Sequence, residues 1–159
     1  MVAASLVCGA CQVVPQPKIA SADTDDAPCP DAGDPFAPVE LRIHPLTAVN
    51  DRRELLAHIE LLDRYGDTVK GLGTLTLELA VQAPGFSTDA RPRHTQRWEV
   101  DLRDPAASSR RFDRVTRTYR FRLQGAPRWD TARQRALLTA VFTTLDGHTL
   151  RATSPLPTP

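Results

Sequence analysis

Cysteine is nearly missing from this chain: Cys8, Cys11 and Cys29 are the only three, and all precede residue 30. The remainder therefore has no disulfide framework and must fold on core burial, which a body of about 120 residues can supply. Long apolar runs are missing as well. None reaches the ~18 residues that a bilayer-spanning helix needs, so no internal transmembrane helix is expected. Lysine is scarce, Lys70 being the only one after Lys18. The cations of the body are thus arginines, whose planar fork suits phosphate, sulfate and carboxylate.

Signatures of catalysis are missing too. No G-x-S-x-G elbow and no G-x-x-x-x-G-K-[ST] phosphate loop is present, and "KGLGT" reads as a turn between strands. His44, His58, His94 and His148 stand singly, and nothing completes Cys8-Gly9-Ala10-Cys11 as a zinc site. The same C-x-x-C lacks the strand-then-helix setting that activates a redox pair. Glu60, Glu78, Glu99 and Asp101 read as solvated strand residues rather than a glycosidase pair. The expectation is a protein with no enzymatic activity, no metal and no cofactor.

What is present divides into three pieces. Residues 1–11 contain "VAASLVCGA", the composition of a signal-peptide apolar region running into its cleavage site. Residues 12–35 are rich in Pro, Asp, Ala and Ser and read as a disordered, flexible acidic linker. Lys18 against Asp23, Asp25, Asp26, Asp31 and Asp34 leaves this N-terminal part at −4, so the body must carry +5 to reach the total of +1.

Residues 36–159 alternate between apolar and polar side chains, the period of half-buried strands. Val39, Leu41 and Ile43 mark one strand, and Leu75, Leu77, Leu79 and Val81 a second. Trp98, Val100 and Leu102 mark a third. In "VTRTYRFRL", Val115, Tyr119, Phe121 and Leu123 form an inner face, with Arg117 as its exception and Thr116, Thr118, Arg120 and Arg122 opposite. "ALLTAVFTTLDGHTLRAT" predicts a hairpin with a two-residue Asp146-Gly147 turn. The segment 54–63 fits either a helix capped at Asp51 or a strand. Its echo, "LLAHIELLDRYGDTVK" against "LLTAVFTTLDGHTLR", favours the strand. Seven to eight strands separated by turns predict an all-β fold, an antiparallel β-sandwich of immunoglobulin-like or Greek-key type.

The phrases "LRIHPLT", "HIELLDRYGDTVKGLGTLTLEL", "RWEVDL", "FDRVTRTYRFRL" and "VFTTLDGHTL" carry a resemblance. Over about residues 36–153 the chain resembles an uncharacterised family of planctomycete-type cell-envelope lipoproteins. The resemblance implies a β-sandwich on a lipidated tether, and no catalytic residues. The cysteines read independently in the same direction. Ala10 and Gly9 are the small residues that precede a lipidated cysteine, which makes Cys11 the expected attachment point and the membrane a partner through its N-terminal lipid. Cys8 is the second choice, because bulky Val7 precedes it. No cation precedes the apolar stretch, and a start upstream of Met1 is one explanation. Location in the cell envelope is expected, with the cytoplasm as the alternative.

A binding face is suggested by the arginines. Arg117, Arg120 and Arg122, with Arg110, Arg111 and Arg114 in the preceding loop, form a basic stripe fit for an anionic envelope polymer or protein partner. A solvated, salt-bridged face is the plainer reading of the same residues. Trp98 falls on the apolar phase, whereas Trp129, in "APRWDTARQ", is the aromatic expected at the surface. Nucleic acid is not expected as a partner.

Overall fold

The computed structural model describes residues 34–82, 94–130 and 132–156, with only the backbone of His94. Expectations for Cys8, Cys11, Cys29 and the linker up to residue 33 lie outside the described residues. Ala32–Pro159 forms a compact unit by itself.

The alternating segments do become strands. In chain order they are β1 (Glu40–Ile43), β2 (Ala48–Val49), β3 (Glu54–Leu62), β4 (Thr68–Val69), β5 (Gly73–Gln82) and β6 (His94–Asp101), then helix α1 (Pro105–Arg111). β7 (Phe112–Asp113), β8 (Thr118–Gln124), β9 (Arg135–Thr144) and β10 (Thr149–Pro155) follow. The segment 54–63 is a strand, as its echo with 137–151 implies.

Two antiparallel sheets pack face to face. The first runs β1-β3-β8-β7, with β2 and β4 also paired to β3, and the second runs β10-β9-β5-β6. Seven strands have four residues or more. Of these the first, second and fifth lie in one sheet and the third, fourth, sixth and seventh in the other. This is the immunoglobulin-type arrangement with its fourth strand paired to the third. Leu55, Ala57, Ile59 and Leu61 from β3 face Leu75, Leu77 and Leu79 from β5 and Leu138, Ala140 and Phe142 from β9, all buried. Each buried Leu or Phe contributes roughly 1.5–3 kcal/mol, so alternation in sequence becomes one shared core.

The hairpin turns repeat one construction. Asp63 N–H donates to Asp67 O and Gly66 N–H to Asp63 O, each at 3.0 Å. Thr144 N–H likewise donates to His148 O at 2.9 Å, and Gly147 N–H to Thr144 O at 3.1 Å. Gly66 and Gly147 hold φ of 83° and 88°, the left-handed position that glycine occupies without strain. The β9–β10 turn is therefore a three-residue loop and not the expected two-residue one. A two-residue type I′ turn needs two successive positive φ angles, and only Gly147 supplies one. Asn50–Glu54 repeats the bonding with Arg53 in the left-handed position, at φ 61°. Arg53 is fastened there: its Nε donates to Ala126 O at 2.8 Å, and its carbonyl accepts from Ala126 N–H at 3.1 Å.

Three local expectations are corrected. Val115 is not on an inner strand face: β8 begins at Thr118, and residues 114–117 form a turn in which Val115 is exposed. The Asp113 carboxylate causes this by accepting from Val115 N–H at 2.9 Å and Thr116 N–H at 3.4 Å, which diverts the backbone before it can pair. Arg117, expected as the exception on the inner face, instead takes the left-handed turn position at φ 56°. Arg110 and Arg111 lie not in a loop but in the last turn of α1. Asp104 caps that helix by accepting from Ala106 and Ala107 N–H, and Pro105 opens it.

Candidate functional site: an arginine groove

The outer face of the first sheet is built by cross-strand register. Successive residues alternate faces, so the inward set of β3 leaves Leu56 and His58 on the outside. On the neighbouring strand the outward set is Thr118, Arg120 and Arg122. The register sets His58 opposite Arg120 and Leu56 opposite Arg122. β7 then pairs with the start of β8, Asp113 opposite Thr118, and brings α1 with it.

The result is a groove of about 690 Å³ lined by Arg110, Arg111, Arg114, Arg120 and Arg122, together with Leu56, His58, Phe112 and Asp113. Five arginines and one acidic residue, Asp113, line it. Arg120 Nη1 lies 3.5 Å from Asp113 Oδ2, and among the described residues no ion pair is made by Arg110, Arg111, Arg114 or Arg122. The amides of Val115 and Thr116, and the charge of Arg120, hold the Asp113 carboxyl below the usual carboxylate range. Asp113 is thus committed as an anion that organises the turn and steadies Arg120.

His58 forms the buried floor. Its Nδ1 lies 3.0 Å from Thr118 Oγ1, which lies 2.8 Å from Thr116 Oγ1. Burial, followed by the neighbouring His44 and Arg120, pushes the imidazole below its ordinary value. His58 is therefore neutral at pH 7, and the positive charge of the groove comes from arginine alone.

Helix α1 is mounted on the sandwich by a buried hydroxyl pair. Ser108 Oγ and Tyr119 Oη lie 2.8 Å apart and sit 3.2 and 3.1 Å from Gly71 O, while Gly71 N–H donates to Tyr119 Oη at 3.0 Å. That node sets where Arg110 and Arg111 project. On the other side of the same helix turn these two arginines share a second hollow with Glu99 and Asp101. Arg103 holds Asp101, whose pKa falls to about 2.

Of the residues read from sequence as a binding face, Arg120 and Arg122 are in the groove, joined by Arg110, Arg111 and Arg114. Arg117 is exposed in the adjoining turn and does not line it. Trp129 is half-buried against the core, in the connection after β8, at the opposite end from residues 114–117. Leu56, His58, Phe112 and Asp113 were not anticipated as part of the site. Trp98 packs against the core as its phase implied and donates from Nε1 to Gln124 O at 2.9 Å. Among the described residues no group of three or more His, Cys, Asp or Glu is placed to hold a metal ion.

Fold and groove together make this an immunoglobulin-like β-sandwich with an arginine-rich groove on one outer face. Comparison with known proteins returns no match to a family model, a curated protein or a solved structure.

Proposed function

We propose that this protein is a non-enzymatic binding module whose arginine groove holds an anionic polysaccharide, one bearing carboxylate, sulfate or phosphate groups. The observation that carries the reading is the imbalance of five arginines against one carboxylate in a single groove. A salt-bridged face would set a comparable number of acids among them. Bidentate guanidinium contacts fix anionic groups in orientation as well as in place, and the Leu56 and Phe112 surfaces suit the apolar faces of a sugar ring.

The test is binding to a sulfated and a carboxylated polysaccharide, heparin and alginate, across ionic strength. Retention at low salt that fades towards about 0.5 M salt is expected, because exposed charges are screened within a Debye length. Arg120→Gln with Arg122→Gln should weaken binding about tenfold, if each exposed charge-assisted contact contributes somewhat less than 1 kcal/mol. Arg97→Gln with Arg151→Gln, the same charge change on the second sheet, should leave it unchanged. Equal loss in both pairs, or no retention at low salt, overturns the reading.

Attachment to the cell envelope through a lipid on Cys11 belongs to the same proposal. Its support is the small-residue stretch before Cys11 and the family resemblance. Intact mass of the mature protein from its native host is expected to show a chain beginning at Cys11 with two or three acyl groups, lost on Cys11→Ser. Two or three chains suffice for stable anchoring where one does not. An unmodified chain retaining Met1 would refute the anchor and leave the groove reading standing.

A further inference from the structure

Six large apolar side chains are exposed among the described residues, and five of them gather at one end of the sandwich. Val115 is 92% exposed, Tyr65 68%, Phe36 65%, Leu145 62% and Val39 52%. The register places them together. Tyr65 lies in the turn after Leu62, and Val39 N–H donates to Leu62 O at 2.8 Å, which sets Phe36–Val39 beside that turn. Leu145 follows Thr144 and shares a hollow with Val39 and Arg64. Tyr119 pairs with Ile59 and β8 runs antiparallel to β3, so the turn before β8, with Val115 at its tip, points towards the same end, where β4 takes the place beside Leu61 and Leu62.

Water-facing apolar side chains are ordinary when scattered and informative when clustered. Phe36, Tyr65, Val115 and Leu145 stand on separate turns, so a protein partner would need a matching pocket for each. A soft interface closes around all of them at once. Charge distinguishes the side on which Val115 stands. Arg114 and Arg117 flank it in the turn, and Arg110 and Arg111 follow on α1, with Asp113 tied to turn amides and Arg120. Around Leu145 the balance is different, since Asp34 and Asp146 accompany Arg64 and His148.

We propose that this end of the sandwich is a membrane-contact surface that rests on an anionic bilayer, with Val115 entering the headgroup boundary and Arg114 and Arg117 on lipid phosphates. Asp113 holds the tip in shape beforehand, so contact costs little ordering. Tyr65, Phe36 and Leu145 add apolar area around it. The surface adjoins the arginine groove, shares Arg114 with it, and needs no lipid on Cys11.

The full chain with Cys8→Ser and Cys11→Ser, which removes any acyl group, is mixed with phosphatidylglycerol–phosphatidylcholine vesicles and with phosphatidylcholine vesicles. Co-sedimentation with the first and not the second is expected. A tryptophan at the tip, Val115→Trp, should shift to the blue and be quenched by brominated acyl chains beyond the change shown by the parent protein. Arg117→Gln, which lies outside the groove, should lower partitioning roughly fivefold, the effect of one basic residue near the surface. Val115 is exposed in a turn, so these variants leave the core untouched. No co-sedimentation overturns the proposal, and so does co-sedimentation without quenching, which would mean adsorption by charge alone. Adding Arg120→Gln and Arg122→Gln separates the two readings. Lost polysaccharide binding with quenching retained supports both surfaces, and quenching lost with it assigns the vesicle binding to the groove and overturns the tip.

Discussion

Gly73→Ala is expected to cost about 3 kcal/mol or more, at the upper end of what overpacking imposes, and to lower Tm by about 10 °C. A Cβ at Gly73 would lie 2.1 Å from Thr143 O and 3.0 Å from Phe142 Cζ. No rotamer relieves this, because Cβ is fixed by the backbone and the nearer atom is backbone too. Relief requires β5 to move from β9 at Gly73↔Thr144, where Gly73 O also accepts from Leu102 N–H at 2.9 Å. Gly66→Ala is the informative comparison. Gly66 has φ 83° but nothing within 4 Å of an added Cβ, so it should lose only the left-handed penalty, roughly 1–2 kcal/mol. Thermal unfolding of the two variants checks the difference. If Gly73→Ala were no worse than Gly66→Ala, the close approach of the two strands would not be a fixed feature of the fold.

Tyr119→Phe should cost about 2 kcal/mol, the upper middle of the range for leaving a buried polar group without a partner. The ring stays, with its edge contact to Phe112 at 5.4 Å and its parallel contact to Phe121 at 6.4 Å, so apolar burial is nearly unchanged. What goes is the hydroxyl that receives Gly71 N–H and bonds Ser108 Oγ. Ser108 can still donate to Gly71 O, whereas the buried Gly71 N–H loses its acceptor. The effect should also reach the groove. Ser108 is the buried residue of α1, and that helix carries Arg110 and Arg111. Polysaccharide affinity should fall although no groove residue has changed, and Ser108→Ala should weaken it in the same direction. Unchanged affinity in a destabilised Tyr119→Phe protein would show that the node supports the core alone.

The strands were legible because their information is local. Alternation through Leu75–Val81 and Tyr119–Leu123 follows from one buried face per strand, whatever lies opposite. The echo between 55–70 and 137–151 was legible for the same reason: two strand–turn–strand units with glycine in equivalent left-handed positions. Val115 and Arg117 were misread because V-T-R-T-Y continues the alternation of β8 with Arg117 as its one exception. The signal against it was Asp113, whose carboxylate captures the following amides. Helix α1 was hidden by its length, seven residues with no apolar stripe, though Asp104-Pro105 is an N-cap followed by a first-turn proline. The groove was only half legible. Arg120 and Arg122 were assigned to the outer face from phase alone. Joining them to His58 and to Arg110 needs the β3–β8 register and the β7 bend, neither of which any single stretch encodes.

The mounting of α1 has a consequence for motion. Seven residues are too few for a helix to persist in water without tertiary contacts, and this one is fastened chiefly through a single serine. Its amides should therefore exchange with solvent through local opening, at a free energy well below that of global unfolding, while those of β5 and β9 wait for the whole sandwich to open. Two of the five groove arginines ride on that opening segment. The charge that an arriving anion meets thus fluctuates, and the anion, by bridging Arg110 or Arg111 to Arg120 on the rigid strand, would close the helix down and slow its exchange.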